Sequence, residues 1–134
     1  MTEIIIFDTS VFIDDLRTAR HKDRINSFAG LIRTSAVVLA ELWRGATQDQ
    51  ELQFLRTLEH DHPVLTPTKQ NWLESGQILS KLVKAKGFGP EKLRDLHFDV
   101  LIALTARAHG ARLITTNGDF EMICQIKKFK LEFW

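Results

Sequence analysis

Ile4-Ile5-Ile6-Phe7-Asp8-Thr9-Ser10-Val11-Phe12-Ile13 decides the fold class. Four consecutive β-branched or aromatic residues, Ile4 to Phe7, suit a strand buried on both faces. Thr9 or Ser10 can then cap a helix whose apolar positions are Val11, Phe12 and Leu16. A doubly buried strand that runs directly into a helix is the opening of a strand–helix–strand unit. Such units build parallel sheets covered by helices.

The rest of the chain keeps this alternation. Leu31-Ile32-Arg33-Thr34 reads as a second strand, followed by Ser35 as cap and a helix from Ala36 to Arg44 that stops at Gly45. Leu52, Leu55 and Leu58 recur at helical spacing between Asp49 and Glu59. Val64-Leu65-Thr66 is a short strand after Pro63. Pro67-Thr68 opens a long helix through Trp72, Leu73, Ile78, Leu79, Leu82 and Val83, and Gly87-Phe88-Gly89-Pro90 closes it. Phe98 to His109 is expected to be helical, with Gly110 as its stop. Arg112-Leu113-Ile114-Thr115 is the next strand, and Phe129, Leu131 and Phe133 alternate with Lys130 and Glu132 as a last one. No internal repeat or linker divides the 134 residues. The expectation is a single α/β domain over 1–134, a three-layer sandwich with a mostly parallel sheet covered by helices on both faces.

In an open α/β sheet the carboxyl ends of the strands form the rim where ligands bind. Asp8 directly follows the first strand, and Asp119 follows the Leu113–Thr115 strand by a few residues. Asp99 is expected in the first turn of the helix that returns to that strand, which would also put it above the rim. Glu41 lies several residues inside its helix, but helical side chains lean back toward the N-terminus and a glutamate is long. Taken singly, each acid reads as a cap, a turn residue or a surface carboxylate. Taken together they repel, and a cation would relieve them. Carboxylate oxygens are preferred ligands of Mg²⁺ and Mn²⁺, and two or three direct carboxylates suffice because Mg²⁺ retains water. Thr9, Ser10, Thr116 and Asn117 flank the acids and could orient waters or a phosphate.

Composition narrows the alternatives. Hydrophobic residues make up 44% and charged residues 26%, as in a soluble globular domain. No apolar run is long enough to cross a bilayer, so a cytoplasmic protein with no membrane partner is expected. Cys124 is the lone cysteine and reads as a small buried hydrophobe, which leaves neither a disulfide nor a cysteine zinc site. The net charge of +1 gives no global argument for nucleic-acid binding. Local basic patches exist at Arg17, Arg20, His21, Lys22 and Arg24, and at Lys127, Lys128 and Lys130. Trp43, Phe54 and Trp72 read as core residues. His60 and His62 bracket Asp61 before Pro63, which reads as a solvated turn.

The ordered segments Phe7-Asp8-Thr9-Ser10-Val11-Phe12-Ile13, Ala40-Glu41-Leu42-Trp43-Arg44-Gly45-Ala46, Phe98-Asp99-Val100-Leu101-Ile102-Ala103-Leu104-Thr105-Ala106, Gly110-Ala111-Arg112-Leu113-Ile114-Thr115-Thr116-Asn117 and Asp119-Phe120 resemble the PIN-domain nucleases. The likeness is nearest to toxin ribonucleases of the virulence-associated protein C type. It covers nearly the whole chain, and its strength lies in the order of the motifs. The resemblance implies a Mg²⁺-dependent (or Mn²⁺-dependent) endoribonuclease, the toxin of a type II toxin–antitoxin system. Its metal-binding acids would be Asp8, Glu41 and Asp99, with Asp119 in the fourth place. The loop before Asp119 is a residue shorter than is common in these toxins, so Asn117 shares or replaces that role. The resemblance also implies a homodimer and a cognate antitoxin that inserts a segment into the groove.

Three other readings follow from the same residues. An aspartyl-phosphate enzyme would also end its first strand in an aspartate, but it usually has a second aspartate two residues on, where this chain has Ser10. A non-catalytic module could bind RNA or a protein through the basic patches. A nuclease of this fold could process RNA outside any toxin–antitoxin system.

Overall fold

The computed structural model describes residues 2–134. Five strands, β1 (Ile4–Phe7), β2 (Leu31–Ser35), β3 (Val64–Leu65), β4 (Arg112–Thr115) and β5 (Lys130–Phe133), form one sheet in the order β3-β2-β1-β4-β5. Every pairing is parallel. Among the described residues, seven helices flank the sheet: α1 (Thr9–Thr18), α2 (Lys22–Asn26), α3 (Ala36–Gly45), α4 (Asp49–Asp61), α5 (Lys69–Lys86), α6 (Pro90–Ala108) and α7 (Asp119–Ile126). From β1 the chain steps outward through β2 to β3, then crosses back to β4 on the other side of β1. Right-handed crossovers carry the helices before β3 to one face and those after it to the other. The strand order therefore reverses between β1 and β4, the place on the carboxyl rim where open α/β sheets bind ligands.

The doubly buried strands β1 and β4 explain the apolar runs. Ile5, Ile6, Leu113 and Ile114 have no exposed surface, and Phe7 is almost as deeply buried. Phe7 packs edge-on against Phe12 and Phe28. At the outer edge of the sheet β5 is only half-covered, and Phe133 is exposed. Gly30 sits where the chain enters β2. A Cβ there would lie 2.8 Å from the Glu3 carbonyl oxygen, so the close β1–β2 approach requires glycine.

Several element boundaries differ from the sequence reading, each for a local reason. The cap of α1 is Asp8 itself, whose side chain accepts from the Ser10 amide. The helix expected from Phe98 begins at Pro90, because Pro90 occupies its first turn and Gly89 serves as an extended N-cap. The short helices α2 and α7 carry no long periodic pattern and were not expected. Trp43 and Trp72 are not core residues: Trp72 is 52% exposed, and Phe54 alone of the three packs against the core.

Candidate metal centre at the sheet rim

Asp8 lies immediately past the end of β1, and its amide donates to the Ile114 carbonyl at 2.9 Å, which fixes it beside β4. Its carboxylate is buried. The Ser10 hydroxyl donates to Asp8 Oδ2 at 2.8 Å and the Thr115 hydroxyl does so at 2.9 Å. The weaker Ser10 amide contact, 3.4 Å, ends on the same oxygen. Oδ1 is the oxygen left available to an ion. Ser10 Oγ also accepts from the Thr116 amide at 3.1 Å, and Thr115 Oγ1 from the Asn117 amide at 2.9 Å. Two hydroxyls thus tie the start of α1 to the loop after β4.

Asp99 is the ninth residue after Pro90 and sits deep inside α6, not in its first turn. It still reaches the rim, because the stretch from Asp99 to Ala108 rises about 14 Å at ~1.5 Å per residue, close to the length of a four-residue strand such as β4. The first two turns of α6 precede Asp99 and include Lys92. Glu41, the sixth residue of α3, is half-buried, and the Thr9 hydroxyl donates to its Oε1 at 3.0 Å. The contacts of α3 with both α1 and α6 bring Glu41 to the same place.

Asp119 opens α7, and its amide donates to Asn117 Oδ1 at 3.0 Å. The Asn117 side-chain amide in turn donates to Asp99 Oδ2 over a long 3.5 Å. Asn117 therefore links Asp99 to Asp119. The Asp119 carboxylate accepts from Lys92 Nζ at 2.7 Å. Lys92 and Thr115 were not picked out from sequence. Lys92 stands seven residues before Asp99, two helical turns up on the same face, which is the signal that could have found it.

The carboxyls of Asp8, Glu41 and Asp99 are all raised above their ordinary values. Burial pushes the Asp99 carboxyl up to about 8, and the charges of Asp8, Glu41 and Asp119 push the same way, with Lys92 opposing them. Burial likewise raises Asp8 above the usual carboxylate range against the hydrogen bonds of Ser10 and Thr115. Glu41 is raised by burial and by Asp8, against the Thr9 hydrogen bond and Arg44. Each of these three groups gains if a cation arrives.

Oxygen donors, mutual repulsion and a free Asp8 Oδ1 fit a hard divalent ion. Among the described residues, however, no three His, Cys, Asp or Glu side chains stand close enough to grip one ion together. The donor set therefore fits a largely hydrated ion with one or two direct carboxylates and the others acting through water, the habit of Mg²⁺, and does not form a closed cage. Arg44 stacks toward the Phe98 ring at 5.6 Å, next to this cluster.

The PIN domain family model matches residues 5–125. Among solved structures, DNA-bound VapBC from Salmonella typhimurium is similar with a TM-score of 0.74 and 25% identity, covering 100% of this chain and 99% of the other. VapBC2 from Rickettsia felis, bound to a DNA fragment of its promoter, matches at a TM-score of 0.73 and 22% identity, covering 98% of each chain. VapBC-1 from nontypeable Haemophilus influenzae matches at 0.69 and 23% over 98% of each. No curated protein sequence matches the chain.

Proposed function

The chain belongs to the PIN-domain family, and from that premise we propose that it is a Mg²⁺- or Mn²⁺-dependent endoribonuclease acting as the toxin of a toxin–antitoxin pair. The observation that carries the enzymatic reading is the shared field of Asp8, Glu41, Asp99 and Asp119 at the β1/β4 switch point, with Asp99 pushed up to about 8. Burying three carboxylates beside one another costs stability, and a divalent ion would offset that cost.

In this reading Asp8 and Asp99 would hold the ion, with Glu41 beside them. The chemistry that such an ion would supply here is a more acidic water and charge neutralisation at the phosphoryl oxygens of RNA. Ser10 and Thr115 fix the Asp8 carboxylate, Thr9 orients Glu41, and Asn117 holds the loop that carries Asp119. Lys92 and Arg44 are the cations nearest the acids. No histidine is needed as a base, and none is hydrogen-bonded to the four acids among the described residues.

The toxin role is supported by likeness to the VapBC structures, foremost the one from Salmonella typhimurium. By analogy the partner is a cognate antitoxin. A homodimer has a candidate face on α5, where Trp72, Leu73 and Val83 are exposed. Among the described residues no helix is long and apolar enough to cross a membrane, and we place the protein in the cytoplasm.

Incubation of the chain with RNA and Mg²⁺ or Mn²⁺, with and without chelator, tests the activity. Metal-dependent cleavage abolished by chelator is expected, and cleavage that survives chelator would overturn the reading. Expression of the chain alone should arrest growth, and co-expression with the adjacent gene should relieve it. Normal growth in both cases would remove the toxin role.

A further inference from the structure

The Lys92–Asp119 pair is a departure from a plain four-carboxylate site. Lys92 lies in the first turn of α6, about 10 Å along the axis from Asp99 at ~1.5 Å per residue, and on the same helical face. Its long side chain runs down to the rim, where Nζ meets Asp119 Oδ2 at 2.7 Å. The pair is only partly covered, with the Lys92 side chain 40% and the Asp119 side chain 33% exposed. The Phe88 ring lies 6.0 Å from Nζ, within cation–π reach.

A carboxylate already satisfied by an ammonium is a poor ligand for a divalent ion, because binding the ion would bring two cations together. An ammonium held at the edge of a metal site is instead well placed to receive a phosphate oxygen. We infer that Lys92 is the built-in counter-ion of this centre: its ammonium occupies the Asp119 side, restricts the acids to a single divalent ion, and receives an RNA phosphate. Asp119 is then the residue that positions Lys92, and Asp8, Asp99 and Glu41 serve the ion. This inference rests on the nuclease reading above and adds to it the number of metal ions and a substrate-binding residue.

Calorimetric titration of the full chain with Mn²⁺ alone, in the wild type and in Lys92→Met and Lys92→Arg, reads the first part. One Mn²⁺ per chain is expected for the wild type and Lys92→Arg, and two for Lys92→Met, whose Asp119 has lost its partner. Binding of a single-stranded RNA oligonucleotide in chelator, measured across a salt series, reads the second. Lys92→Met should bind about tenfold more weakly at low salt, with a log affinity–log salt slope flatter by about 0.7, as the loss of one phosphate contact requires. Unchanged melting temperatures would exclude a folding defect. Two Mn²⁺ in the wild type, or an unaltered stoichiometry and salt slope in Lys92→Met, would overturn the inference while leaving the nuclease reading intact. No Mn²⁺ binding by any variant would instead defeat the nuclease reading itself.

Discussion

The two ends of the sheet treat charge in opposite ways. At the amino end, Arg112 on β4 makes a forked contact with Glu3, with Nε to Oε1 at 3.1 Å and Nη2 to Oε2 at 2.9 Å, and it reaches Glu132 at 3.5 Å. The Glu3 carboxyl is held below its usual range by that guanidinium. At the carboxyl end, Asp8 and Asp99 are buried with no guanidinium hydrogen-bonded to them among the described residues, and both carboxyls are raised. The same strands thus carry a matched ion group at one end and a mismatched one at the other. Structural ion pairs end in balance, whereas a site kept out of balance is arranged for something that binds.

Removing the mismatch at its centre should have the largest effect. Asp8→Ala or Asp99→Asn should lower metal-dependent RNA cleavage by at least about 10²–10³-fold, measured as initial rate at saturating Mg²⁺, the scale of losing a principal electrostatic element of a catalytic site. Retained activity would mean that the acids serve structure alone.

Next in size is the response to metal and pH. Asp99 has a folded-state carboxyl well above its unfolded value, so between about pH 4 and pH 8 the folded protein binds the extra proton. Metal-free stability should therefore be greatest at the acid side of that window and fall as pH rises through it. Added Mn²⁺ should raise the melting temperature much more at pH 7.5 than at pH 5.5, because at the lower pH it must displace a proton. A shift independent of pH would argue against Asp99 as the ligand.

In the absence of metal, Asp99→Asn should be more stable than the wild type near pH 8 by about 1 kcal/mol or more, since it removes a buried charge from among its like. For a chain of this size that is a rise of roughly 3–5 °C in calorimetry, and the pH slope should flatten with it. The smallest effect is expected at the opposite end. Arg112→Gln breaks a partly exposed pair and should move the melting temperature by no more than about 2 °C, with cleavage unchanged. A large loss of activity there would dissolve the contrast between the two ends.

The sequence made the rim readable to different depths at different residues. Asp8 was legible because an apolar run ending in an acid fixes both the strand and its edge. Asp119 was legible by the same logic after β4. Asp99 reads from the sequence as lying in a first turn that starts at Phe98, whereas α6 begins eight residues earlier, at Pro90 after the N-cap Gly89. That missing stretch also hid Lys92. The Thr115 hydroxyl was invisible for another reason: its partner is 107 positions away, and a buried threonine at a strand end has no local pattern that marks it as a donor. Trp43 and Trp72 misled in the reverse direction, because hydrophobicity alone does not distinguish a core residue from one left exposed on a helix. The parallel sheet itself needed only the alternation of short apolar runs with helical periods.

The central claim is that Asp8 and Asp99 hold one divalent ion at the β1/β4 switch point. Crystals grown with Mn²⁺ and measured for anomalous scattering address it directly. The account predicts one strong peak about 2.1–2.2 Å from Asp8 Oδ1 and from an Asp99 carboxylate oxygen, with waters completing the coordination. Ordered, Mn²⁺-saturated crystals with no peak between these two side chains would contradict it.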